Sequence, residues 1–413
     1  MGNYYYGGQE SRLERISWRM WMVEAACYIV LVLLTLVSSF ASLSSTTGFP
    51  CFVGTVGESS FGGDLMGHGM TPARRDGVKI FFMSSPSTLF VVFSAVFVWL
   101  VVAVYLLLGG VRVKMCNFDS SYGASELSSA VATMTSLVTL SITAWAWQVF
   151  VLMLSYRQLT LAAVAFVGIF IAGLVFMLSF ASGGKSPENY ATFNSQLKTV
   201  CKDVHAVITA FKAVVLNLFC VVFGVWHLML VMLGAVIMVL NFGVSIPKAT
   251  TGALVVFIVL GLVYLMMIEL VVSRYVHVLL GPHLGMIIAL GIAGTSALSY
   301  AETLDEIMYA SWKPVAAGIL GAFSVIVLAL AVLRAVRSYK FHKAAQSKFL
   351  QQVASVAQTV KNRARRERNG PRVHKRYYDA VPVDAYEDDP YRQSPRRSRH
   401  GEAEDVIYEN MKY

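Results

Sequence analysis

Long apolar runs alternate with short polar breaks across the first 333 residues, and each run is near the length at which a helix crosses a bilayer. A helix rising 1.5 Å per residue needs about 20 apolar residues to cross the hydrocarbon core. The pattern predicts eight spans, at Trp21–Leu43, Ser87–Leu108, Ala130–Leu154, Leu159–Ala181, Ala213–Leu240, Gly252–Ser273, His283–Leu298 and Trp312–Leu333. The seventh is the shortest; a re-entrant course there would leave seven spans and move the tail to the other side. The first run is too long for the apolar part of a cleavable leader and has no small-residue cleavage site after it, so it reads as an uncleaved signal anchor. Met1-Gly2 is followed by Tyr6 where a myristoylation motif has Ser or Thr, and that modification is not expected. The expected fold is an all-α integral membrane protein: a polytopic bundle of eight transmembrane helices with a largely disordered cytosolic tail.

Composition agrees. Hydrophobic residues make up 56% of the chain and charged residues 14%, where an ordinary soluble domain carries roughly 25% charge. Placing the leader, residues 1–20, in the cytosol puts 28 of the 34 Lys and Arg on that side. Without the tail the comparison is ten against six, still the asymmetry of a cytosolic face. Both termini are then cytosolic and Glu302, Asp305 and Glu306 lie outside, although Arg74, Arg75 and Lys79 in the first outer loop oppose that orientation.

The tail has two parts. Over residues 334–370, Phe349, Val353, Val356 and Val360 recur at helical spacing among Lys343, Lys348, Lys361, Arg363, Arg365 and Arg366, which predicts a basic amphipathic helix attracted to anionic lipid. A solvated helix packed beneath the bundle is the plainer reading. Nucleic acid is not an expected partner, because the bases adjoin a span and lipid supplies their counter-ion. Residues 371–413 are rich in Pro, Arg and acids and poor in aliphatics, so disorder is expected until a partner binds. There Tyr378 with Val381, and Tyr408 with Met411, place a bulky apolar residue three positions after tyrosine, as in sorting signals that add a strand to a clathrin adaptor. Glu387, Asp388 and Asp389 form an acidic cluster of the kind linked to trans-Golgi retrieval, or serve solubility alone.

Of five cysteines, Cys27 and Cys220 fall within spans, Cys116 and Cys201 in cytosolic loops, and Cys51 alone on the outer side, in the one long outer loop, residues 41–86. With no partner of its own chain there, Cys51 reads either as an intermolecular disulfide to a second protein or as a partly buried free thiol. No Asn-x-Ser/Thr sequon is present, so N-glycosylation is not expected.

Within the membrane the polar candidates are Glu24, Gln148, Asn217, His227, Asn241 and Glu269. His227 and Glu269 are the ionisable groups to weigh as a transport path, against interhelical hydrogen bonding and, for Glu269, pairing with Arg274. Gly168/Ala172, Gly281/Gly285 and Gly318/Ala322 have the spacing that lets helices approach closely. No phosphate loop, zinc motif or nucleophile turn is present, so neither an enzyme nor a metal or cofactor is expected. A polytopic transporter or channel is the second functional class.

Phe49-Pro50-Cys51-Phe52, and the run Tyr275-Val276-His277-Val278-Leu279-Leu280-Gly281-Pro282-His283-Leu284-Gly285, resemble segments of the herpesvirus glycoprotein M family, most closely its alphaherpesvirus branch, and the likeness extends over nearly the whole chain. The resemblance implies that Cys51 bonds glycoprotein N, a small single-span envelope protein. It also implies sorting of envelope proteins in the Golgi and trans-Golgi network, virion assembly and secondary envelopment, modulation of membrane fusion, and contact of the tail with tegument proteins. The implied locations are the virion envelope and the host Golgi, trans-Golgi, endosomal and inner nuclear membranes. Many members carry a sequon in the first loop, and this chain departs from them there.

Overall fold

In the computed structural model, residues 4–42, 85–116, 123–156, 158–276, 278–308 and 312–369 are described. Among them every regular element is helical. The bundle contains α1 (Tyr4–Ala41), α2 (Ser85–Cys116), the short α3 (Ala124–Val131), α4 (Met134–Ser155) and α5 (Leu159–Ser182). Two helices that are not candidate spans follow, α6 (Pro187–Val200) and α7 (Lys202–Val207), the latter running through a π turn at Ile208–Lys212 into α8 (Ala213–Phe242). The chain closes with α9 (Ile246–Leu270), α10 (Gly281–Met308) and α11 (Trp312–Asn369).

Seven of these helices, α1, α2, α4, α5, α8, α9 and α11, are long and apolar enough among the described residues to cross a membrane. The remaining sequence-predicted span, His283–Leu298, lies inside the 28-residue α10. The eight expected segments therefore all fall on helices. Three differences at their edges bear on the fold. α1 begins at Tyr4, so most of the leader is helical. The third span starts at Met134, after an extended break at Ala132–Thr133 where the Thr133 hydroxyl caps the Ser136 amide, a normal helix start. No break separates the last span from the segment after Leu333, because α11 is one element of 58 residues. Residues from Phe349 onward form a second compact unit, of which the helical part to Asn369 is described.

α8 is the central post. In its most apolar window 78% of the residues are buried inside the bundle, against 28% for the first span and 22% for the last. A helix hydrophobic all round belongs in an interior, and α8 has protein on most sides while α1 and α11 show much of theirs to lipid. Around α8, large rings fill the centre. Trp147 and Trp226 stack at 5.5 Å, Trp99 meets Trp147 edge-on at 5.3 Å, and Phe150 and Phe166 lie beside them at 5.0 Å from each other. Tyrosine and tryptophan side chains also reach backbone oxygens on neighbouring elements: Trp21 donates to Ala132, Tyr105 to Val131 and Tyr28 to Trp99. The first two bonds secure the break before α4 by satisfying carbonyls that the interrupted helix leaves free.

Candidate functional site

Between α9 and α10 the chain leaves regular helix just past the end of the span Lys248–Arg274, where backbone groups close to the membrane still need partners. A 3-10 turn at Val272–Arg274 follows α9, and Tyr275, Val276 and residues 278–280 are non-helical before the start of α10. Asn217, near the start of α8, answers most of this segment's needs. Its amide nitrogen donates to the Val278 carbonyl at 2.8 Å, and its oxygen accepts from the Leu280 and Gly281 amides at 2.8 and 2.7 Å. From the other side, the Arg334 guanidinium of α11 donates to the Val276 carbonyl at 3.1 Å.

Two glycines set how close α10 comes. A Cβ on Gly281 would collide with the Asn217 backbone, and one on Gly285 with the Val221 carbonyl. Opposite them, a Cβ on Gly224 would lie 2.8–3.0 Å from Gly285 and Met286 backbone atoms. The Gly281/Gly285 expectation is met here. The other two small-residue pairs behave differently: a Cβ on Gly168 or Gly318 would meet nothing within 4 Å, so those glycines do not mediate close packing among the described residues.

Glu269 sits beside the joint, its side chain 19% exposed. The expected pairing with Arg274 is not the one found: its Oε2 lies 3.4 Å from both Arg334 and Arg337. Arg274 follows Glu269 through a helix end and a 3-10 turn, whereas the two arginines project one turn apart from α11. Since the Arg334 side chain is only 7% exposed and that of Arg337 is 69% exposed, the first contact carries the coupling between α9 and α11 and the second is largely screened.

His227, the other ionisable group weighed for transport, is enclosed by rings. Phe170 lies 4.7 Å away edge-on, Tyr264 4.5 Å, and its Nδ1 is 2.8 Å from the Phe223 carbonyl of its own helix. Gln148 ties α4 to α1 through Thr35 at 2.8 Å, and Asn241 meets Thr160 at 3.4 Å. Gln148 and Asn241 thus bond helix to helix, while His227 bonds within its own helix. Among the described residues no group of three or more His, Cys, Asp or Glu could hold a metal.

On the edge of the same end of the bundle, Lys212 closes the π turn, is 2% exposed, and lies 5.3 Å from the Phe180 ring and 5.2 Å from the Tyr190 ring. Burial pushes its ammonium down to about 7, and burial likewise raises the Tyr190 phenol. Sequence reading passed over Lys212 as one loop cation among several; the absence of any acidic residue nearby in sequence gave no warning of its burial.

The sequence-predicted functional residues are not gathered at this joint. Cys51, Tyr378, Val381, Glu387, Asp388, Asp389, Tyr408 and Met411 lie outside the described residues. Lys343 is exposed on α11, and Lys348, Lys361, Arg363, Arg365 and Arg366 belong to the same helix. Sequence reading did not single out Arg334, whose buried guanidinium is explained by its contacts with Glu269 and the Val276 carbonyl.

Residues 14–353 match the family model described as herpesvirus glycoprotein M. Among curated relatives, envelope glycoprotein M of suid herpesvirus 1 is 30% identical over 86% of this chain and 90% of its own length. The protein of that name from equine herpesvirus 1 is 26% identical over 87% of this chain and 82% of its own, and that of human herpesvirus 1 is 28% identical over 96% and 85%. No solved structure matches.

Proposed function

Since the chain belongs to the herpesvirus glycoprotein M family, we propose that it is a multi-span envelope protein that works by binding partners: glycoprotein N through a Cys51 disulfide, and sorting and tegument proteins through its tail. The observation that carries this reading is the placing of its cysteines within a chain that matches the family almost throughout. Cys27 and Cys220 ride on spanning helices, Cys116 and Cys201 lie at helix ends, and all four are free. Cys51 alone stands in the long segment between the first two spans. Joined there to a small single-span protein, the bundle would carry that partner through the Golgi to the site of secondary envelopment. The tail's Tyr378 and Tyr408 motifs, with the acidic cluster Glu387–Asp388–Asp389, would set the route, and the same complex would modulate fusion. The basic residues of α11 would favour anionic lipid.

The test is electrophoresis of the chain from infected cells with and without reductant, wild type beside Cys51→Ser. The expected result is a reducible complex with a small second protein that disappears in the variant. Equal mobility in all lanes would remove the disulfide from the proposal.

A further inference from the structure

Where α8 and α9 approach the turn that joins them they part, leaving a cleft of about 600 Å³. Leu230, Gly234 and Met238 line one wall and Gly252 and Leu260 the other, with Lys248 at the rim. The glycines make the room: a Cβ on Gly234 or Gly252 would meet no heavy atom within 4 Å among the described residues. Further along the helices the cleft is shut by rings, Tyr264 of α9 lying 5.5 Å from Phe223 and 4.5 Å from His227 of α8.

Its length and its one charge define what fits. From Lys248 to Leu260 is about 18 Å of helix at 1.5 Å per residue, close to half of the roughly 30 Å hydrocarbon core. The cleft is therefore one leaflet deep, too short for a second spanning helix to lie in it along its whole length. Its walls are apolar for that distance, and the single cation stands at the first residue of the span Lys248–Arg274, at the level of lipid headgroups. Lys248 also lies in the first turn of α9, whose N-cap, Ser245, makes no side-chain cap bond, so the positive end of that helix adds to the ammonium in favouring an anion.

We infer that the α8–α9 cleft is a binding site for a membrane glycerophospholipid, one acyl chain lying between Gly234 and Gly252 and the phosphate resting at Lys248. The site is independent of the Cys51 disulfide and of the tail motifs. It would hold its lipid longer than the lipid around the rest of the bundle, because that chain would contact two helices rather than one.

The experiment uses the full-length chain in membranes containing phosphatidylcholine with a photoactivatable group midway along one acyl chain. After irradiation, adducts are mapped by peptide mass spectrometry in wild type, Gly252→Phe and Lys248→Glu, with thermal unfolding in detergent confirming that each variant is folded. Adducts should concentrate on the peptides carrying Met238 and Val256. Filling the cleft in Gly252→Phe should lower them about tenfold, the ratio that corresponds to 1.4 kcal/mol, and Lys248→Glu should lower them for the phosphate-bearing lipid but not for a diacylglycerol probe. Adducts spread evenly over the exposed faces of α1 and α11, or unchanged in folded Gly252→Phe, would overturn the site. So would a cleft that takes no lipid adduct and crosslinks a second spanning protein in its place.

Discussion

Asn217 supplies with one amide what water would supply to an irregular segment in a soluble protein: a donor for Val278 and an acceptor for Leu280 and Gly281. Asn217→Leu removes all three bonds, and since two of them are exposed and the third part-buried, the expected loss is about 1–2 kcal/mol. It is checked by the thermal midpoint of the purified protein beside Gly318→Leu, which enters open space and should leave the midpoint near wild type. Lys212 gives a residue-scale prediction of the opposite kind. Its ammonium titrates at about 7 in the folded protein against an ordinary 10.5. Below pH 7 it is charged in both states and its desolvation weighs fully against the fold. Between pH 7 and 10.5 the unfolded state binds more protons, so stability should rise with pH. Tyr190, whose phenol is raised by burial, faces the same amine and enters only at the alkaline end. The rise, read as the midpoint across pH 6.5–9.5 (roughly the window fixed by those two values), should flatten in Lys212→Met.

At the scale of elements, α11 meets α9 through Phe323 edge-on to Phe257 at 5.5 Å and through the Glu269–Arg334 pair. A double-mutant cycle of Glu269→Gln and Arg334→Gln should give a coupling of about 1–2 kcal/mol, and the same cycle with exposed Arg337 close to zero; equal couplings would show that burial does not distinguish the two arginines. These contacts mark where sequence reading succeeds and where it stops. The spans were legible because hydrophobic length is a property of consecutive residues. Partnership was not: Glu269 was matched with Arg274, five residues on, although the reversal after Leu270 lets α11 present Arg334 instead. Spacing also overstated the glycines, since a four-residue interval makes a backbone approachable without saying that anything approaches. It held for Gly281/Gly285, where α8 is drawn in, and not for Gly168 or Gly318.

For the molecule as a whole, the Lys and Arg asymmetry and the tail motifs speak to orientation and route. Tyr378→Ala with Tyr408→Ala should shift the protein from the trans-Golgi network to the cell surface, measured by surface biotinylation, while leaving the reducible Cys51 complex intact; unchanged distribution would remove the tyrosines from the sorting proposal. The close fit of Gly224 against Gly285 also bears on biosynthesis. α8 is the most enclosed helix, yet α10, which covers its glycine face, leaves the ribosome later, after α9. Until then the insertion machinery must harbour a bundle whose centre is unfinished, and a chain interrupted before Gly281 would present that bare glycine seam to the quality-control proteases of the membrane in which it is made.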